Sequence, residues 1–314
     1  MRCIVKVLIT GCFLAAFAVS GYAGGQREPA PLRVGILPDA DSLPFMVARD
    51  RGFFEEEGVK VELVEFSNPN DRDAAIQARR VDGAISDVLG TAFFAAAGLD
   101  MKITSMTNGR YGIVASPKSG ITSLSGLRGK QIALSLNSII QYTVDTMLAP
   151  AGVPMSEYEA VAVPNIMLRL EMVMNGSVDA AGFPEPLLTA AVAQGANLLS
   201  TTDDAGINAG VLMFSRRTLD SRLDEVRAFY RAYDRATREI NADPDSFRDF
   251  LVEKAGFPAA VRDTFRFVTY TRPALPAPEQ VERALTWLTE RNLLKADLSF
   301  ADLTDPRAVA EWSN

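Results

Sequence analysis

From residue 32 to residue 215 the chain alternates between two textures. Short runs that are apolar at every position, or at every second one, read as strands. These are RVGILP (33–38), VKVELVEF (59–66), VDGAISD (81–87), MKITSMT (101–107), QIAL (131–134), YEAVAVP (158–164), VDAAGFPEP (178–186), ANLLST (196–201) and GVLMFS (210–215). Between them lie segments with apolar residues at helical spacing. SLPFMVARDRGFFEEEG (42–58) is one, with Ser42 as N-cap, Pro44 in the first turn, and Gly52 and Gly58 bending or stopping it. NDRDAAIQARR opens at Asn70 or Asp71, VLGTAFFAAAG at Val88 and NSIIQYTVDTMLAPAG at Asn137. NIMLRLEMVMNGS and LLTAAVAQGA complete the set. Strand and helix taking turns is the pattern of an α/β fold. After Ser215 the chain turns strongly helical, and Val226, Phe229, Tyr230, Tyr233 and Ile240 form one core-facing stripe.

The plan occurs twice. QARRVDGAISD (77–87) and VMNGSVDAAGFPE (173–185) are each a helix end, a turn, then Val-Asp-small-Ala. RVGILPDADS and QIALSLNSII are each a strand breaking into a polar loop that opens a helix. The chain therefore predicts two lobes, 32–115 plus 210–314 and 116–209, joined near 113–118 and 205–212.

In open α/β sheets ligands bind beyond the carboxyl ends of the strands. The polar residues at those ends are the candidates: Asp39, Asp41 and Ser42; Ser86 and Asp87; Asn108 and Arg110; Ser135, Asn137 and Ser138; and Glu185 between two prolines. Apart from Asn108 and Arg110, each has a plainer reading as a helix cap or first-turn acid, and Ser42 is expected to cap its helix in either case. Arg169, among apolar helix residues, reads as a surface or hinge ion pair. Bringing Asp39, Asp41, Asp87 and Glu185 together without a cation is costly. Their convergence predicts a donor-rich ligand, an amine or amino-heterocycle, whereas Asn108 and Arg110 are the donors for an acidic group.

Composition narrows the chemistry. The chain of 314 residues has no histidine and only two cysteines, Cys3 and Cys12. His-based nucleophile triads and the usual zinc and copper sites are excluded, and no P-loop or G-x-G-x-x-G is present. No cofactor and no metal are expected. A formal charge of −7 argues against nucleic acid as a partner.

Residues 1–23, with Arg2 and Lys6 ahead of an apolar run and Gly21-Tyr22-Ala23 behind it, read as a cleaved secretory signal. GGQREPAP (24–31) reads as a flexible leader. An alternative is a lipidated Cys12 in Ile9-Thr10-Gly11-Cys12. Either places the protein outside the cytoplasm.

The blocks LPFMVARDRGFFEEEGVKVELVEF (43–66), VDGAISD (81–87), SLSGLRGKQIAL (123–134) and LEMVMNGSVDAAGFPEP (170–186) resemble the periplasmic solute-binding proteins of ABC importers. That group serves sulfonates, nitrate, taurine and thiamine-pyrimidine precursors. The resemblance implies a two-lobe, type II-like binding-protein fold whose lobes close about a hinge on a small organic ligand. It implies a monomer that hands its ligand to a membrane permease, and a ligand-facing residue at the Glu185 strand end. The pyrimidine branch surrounds its ligand with rings, and here Phe45, Tyr111, Tyr142 and Phe183 are the rings at hand. A sensor for a membrane receptor, or a precursor-processing enzyme of the same fold, is the alternative.

Overall fold

The computed structural model describes residues 30–312, so the signal, the possible lipid attachment at Cys12 and most of the leader lie outside the described residues. Ten strands form two five-stranded sheets. The first contains β1 (Leu32–Ile36), β2 (Val61–Glu65), β3 (Gly83–Asp87), β4 (Met101–Met106) and β10 (Gly210–Ser215), in the order β2-β1-β3-β10-β4. The second contains β5 (Tyr111–Ala115), β6 (Gln131–Leu134), β7 (Glu159–Ala162), β8 (Ala180–Pro184) and β9 (Asn197–Thr201), in the order β7-β6-β8-β5-β9.

The two sheets have the same wiring. In each, the first three strands are parallel and the fourth runs against both neighbours. That fourth strand is supplied by a crossing of the chain, β10 in the first sheet and β5 in the second. The sheets therefore change over at 107–110 and 202–209. The first change comes earlier than the sequence predicts. Tyr111–Ala115 belongs to the second sheet, not to the group ending at 115, because it pairs with β8 and β9.

Helices start where short polar side chains can accept backbone N–H groups. The helix Pro69–Gln77 is capped by Asn68, two positions before the first residue the sequence suggests; Asn68 accepts the Asp71 N–H at 3.0 Å. The helix Ile139–Leu148 is capped by Ser138 rather than Asn137, which sits at φ 55°. The predicted helix 42–58 is broken at Gly52, φ 74°, into Leu43–Asp50 and Phe53–Glu56.

Ser42 does not cap. Its backbone is already helical at φ −85°, and its hydroxyl turns back to accept the Leu37 N–H at 3.2 Å.

The long helix Leu223–Ala242 buries its predicted stripe. Phe229 stacks on Phe45 and Phe54 with centroids 5.1 and 5.2 Å apart, and Tyr233 lies 4.6 Å from Phe45. Among the described residues no helix is long and apolar enough to cross a membrane.

Candidate functional site

The duplication fixes the strand ends residue by residue. Asp82 accepts the N–H of Arg33 at the start of β1 at 2.9 Å, and Asp179 accepts that of Gln131 at the start of β6 at 3.0 Å. One helix later, Asn68 and Asn165 each cap a helix that carries a buried arginine, Arg72 or Arg169. Arg72 donates to the Ile85 carbonyl at 3.0 Å and Arg169 to the Gly182 carbonyl at 2.8 Å, equivalent positions on β3 and β8. Each guanidinium thus grips the strand whose end carries candidate residues.

The two arginines meet different surroundings. Arg169 is 1 % exposed and has no ion pair among the described residues. It donates to the carbonyls of Val163 and Gly182 and to the Ser135 hydroxyl. The expected ion pair is not there, because the helix turns this residue inward onto the ends of three strands. Burial holds its pKa down to about 10. Arg72 pairs with Asp73 at 2.8 Å and is the cation whose field reaches Asp39 and Asp87.

Those two carboxylates and Asp41 form the acidic end of the first sheet. Asp41 is buried; it accepts from the Thr107 hydroxyl and, at 3.2 Å, from the Tyr111 hydroxyl of the second sheet. Gly109 and Gly210 make room for it: a Cβ on Gly109 would lie 1.9 Å from Asp41 Oδ2, and one on Gly210 2.7 Å from Oδ1. Asp39 accepts the Ser42 N–H at 3.0 Å. Its pKa is pushed up to about 8, chiefly by burial and next by the neighbouring Asp41. Burial also raises Asp41 and Asp87. Asp87 caps the helix Val88–Ala96, accepting the Gly90 N–H at 2.7 Å. Beside it, the buried Ser86 hydroxyl has no hydrogen-bond partner among the described residues. An unpaired buried hydroxyl among under-compensated carboxylates has unused capacity for a donor-bearing ligand.

Glu185 belongs to a second group. Its carboxylate accepts the Thr189 N–H at 3.0 Å and the Thr189 hydroxyl at 2.9 Å, and lies 3.8 Å from the Arg110 guanidinium. Burial raises its pKa. Arg110 is held by Asp203 at 2.6 Å and the Arg266 carbonyl at 2.7 Å. These residues border a cavity of about 240 Å³ with Thr264 and Leu188.

The remaining candidates are committed elsewhere. Asn108 accepts from the Thr271 N–H at 2.9 Å, which ties the first crossing to the C-terminal segment. Ser135 receives Arg169, the Asn137 N–H donates to Gln141 at 2.8 Å, and Ser138 caps its helix. Tyr142 turns its edge to Trp287 at 5.7 Å, facing the helix Pro278–Glu290.

Three of the four predicted acids thus form one electrostatic group, and Glu185 stands in another. Thr107, Arg72 and Tyr270, whose hydroxyl donates to the Ala40 carbonyl at 2.9 Å, complete the first group without having been singled out in the sequence. Only Arg72 carries a readable signal, since it repeats Arg169 within the duplication.

Set against known proteins, residues 39–247 match the pattern of the NMT1/THI5-like family. The chain belongs to the NMT1/THI5-like family. A putative aliphatic sulfonates-binding protein of Bacillus subtilis is 27% identical over 246 residues, 73% of this chain and 71% of that one. A 4-amino-5-hydroxymethyl-2-methylpyrimidine phosphate synthase of Schizosaccharomyces pombe is 24% identical, covering 67% of this chain and 65% of its own length. The fold is that of the periplasmic aliphatic sulphonate binding protein of Escherichia coli. The two superpose at a TM-score of 0.77 with 18% identity, over 88% of this chain and 92% of the other.

Proposed function

We propose that this NMT1/THI5-like protein is an extracytoplasmic solute-binding protein of an ABC importer. It captures a small ligand between its two sheets and presents it to a membrane permease, with no chemistry of its own. The ligand is rich in hydrogen-bond donors, an amine or amino-heterocycle. One observation carries this choice: Asp39, Asp41 and Asp87 lie together at the ends of β1 and β3 with Arg72 as their nearby cation and the Ser86 hydroxyl unpaired. A ligand that brings donors or positive charge offsets their desolvation, and an anion adds to it.

Native mass spectrometry of the purified protein, before and after denaturation, tests this. The expected adduct is a cationic or donor-rich small molecule that is lost in Asp39→Asn/Asp87→Asn. A sulfonate or other anion as adduct overturns the ligand class and moves the site to Arg110. Conversion of a bound pyrimidine precursor on incubation overturns the non-enzymatic reading.

A further inference from the structure

Helix Pro278–Glu290 bonds to the second crossing, reaches the first through it, and shares a buried cluster with residues of both halves. At its start the Gln280 side-chain oxygen accepts the Asn208 N–H at 2.6 Å, and the Asn208 amide donates to the Thr107 carbonyl at 2.9 Å. Asn208 and Thr107 lie in the second and first crossings. Along its middle, Val281, Ala284 and Leu285 share one buried cluster with Val88 and Leu89 beside the first sheet, and with Ile132 and Val144 beside the second.

The far end is held differently. Asp145, on the helix Ile139–Leu148 of the second sheet, accepts from Trp287 Nε1 at 2.9 Å, from Arg291 at 2.8 Å and from the Tyr158 hydroxyl. A groove of about 700 Å³, bordered by Met155 and Arg283, runs beside this contact, which is therefore flanked by open space.

The duplicated position shows what is unusual. Helix Leu43–Asp50 follows β1 as helix Ile139–Leu148 follows β6, and it is held by ring stacking of Phe45 on Phe229 and Tyr233. Such packing has no direction and cannot be exchanged for water cheaply. The Asp145 contact consists of directional, charge-assisted hydrogen bonds at the edge of an open groove, which can open and re-form.

We propose that helix Pro278–Glu290 is a strut that sets the separation of the two sheets, with Asp145 as the positioning residue that holds its far end. The consequence for capture rests on the solute-binding reading: a strut that opens and closes biases the population of the closed form. The strut itself does not depend on that reading.

The test uses small-angle scattering of the protein with no ligand added, together with tryptophan emission. The chain has two tryptophans, Trp287 and Trp312, so the Trp312→Phe background isolates the strut's own indole. In Asp145→Ala the distance distribution shifts to longer distances and the Trp287 emission shifts to the red as its N–H meets water. Asp145→Asn, which keeps an acceptor, gives a smaller shift, and Thr289→Ala on the exposed side of the same helix gives none.

Should Asp145→Ala fail to fold, Arg291→Ala and Trp287→Phe read the same scattering change. Scattering that superimposes on wild type in the folded Asp145 and Arg291 variants overturns the strut. A scattering shift in those variants, with no adduct in any form of the protein, supports the strut and removes the capture reading instead.

Discussion

At the scale of single residues, the acid group is where charge and burial conflict. Asp39 is held near 8 in the folded protein and near its ordinary value when unfolded, so the folded state keeps the proton longer. Its contribution is therefore fully present below about pH 4 and falls as the pH rises towards 8. Asp39→Asn is expected to stabilise the folded protein at pH 8, read as a higher melting temperature, and to match wild type near pH 4. Thermal unfolding across that range checks it. Arg72 works in the other direction, as the cation facing Asp39 and Asp87. Arg72→Met should move the carboxyl midpoints of both upward in carbon-detected NMR titrations, and Arg169→Met should leave them in place. Arg169 has a different cost. Its removal strands the Val163 and Gly182 carbonyls and the Ser135 hydroxyl, and urea unfolding should show a loss of about 3 kcal/mol. These environments could not be read from the sequence. Asp41 looks like any loop aspartate until Gly109, Gly210, Thr107 and Tyr111 surround it, and all four are distant in the chain.

At the scale of elements, the duplication was legible from the paired Val-Asp-small-Ala stretches, and it extends further than those stretches suggest. The N-caps Asn68 and Asn165, the strand-start acceptors Asp82 and Asp179 and the gripping arginines all repeat. Because the two caps do the same work, Asn68→Ala and Asn165→Ala should each cost about 1 kcal/mol, measurable by chemical denaturation. β5 escaped the reading for a physical reason. Only residues 107–110 separate β5 from β4, so the chain changes sheets with no helix between the two strands to mark the crossing. Ser42 misled for another: its position before Leu43-Pro44 suits a cap, but a tight turn at Asp39 makes the chain helical before the serine is reached.

At the scale of the whole molecule, the C-terminal third joins the first half through one aromatic cluster. Phe229 contacts Phe45, Phe54, Phe214 and Tyr230. Phe229→Ala should cost about 4 kcal/mol, with the loss read as a lower urea midpoint at unchanged slope. The wiring of the sheets has an effect in time as well as in space. β10 lies between β3 and β4, pairing Ser86 with Val211 and Met106 with the same residue. As the chain emerges from its N-terminus, β3 and β4 appear early but have no shared neighbour until the whole second sheet has been made. The N-terminal sheet therefore cannot close on its own, and its long-range pairing slows folding. A nascent chain of this design leaves its first sheet unfinished until β10 (Gly210–Ser215) has been made, after every strand of the second.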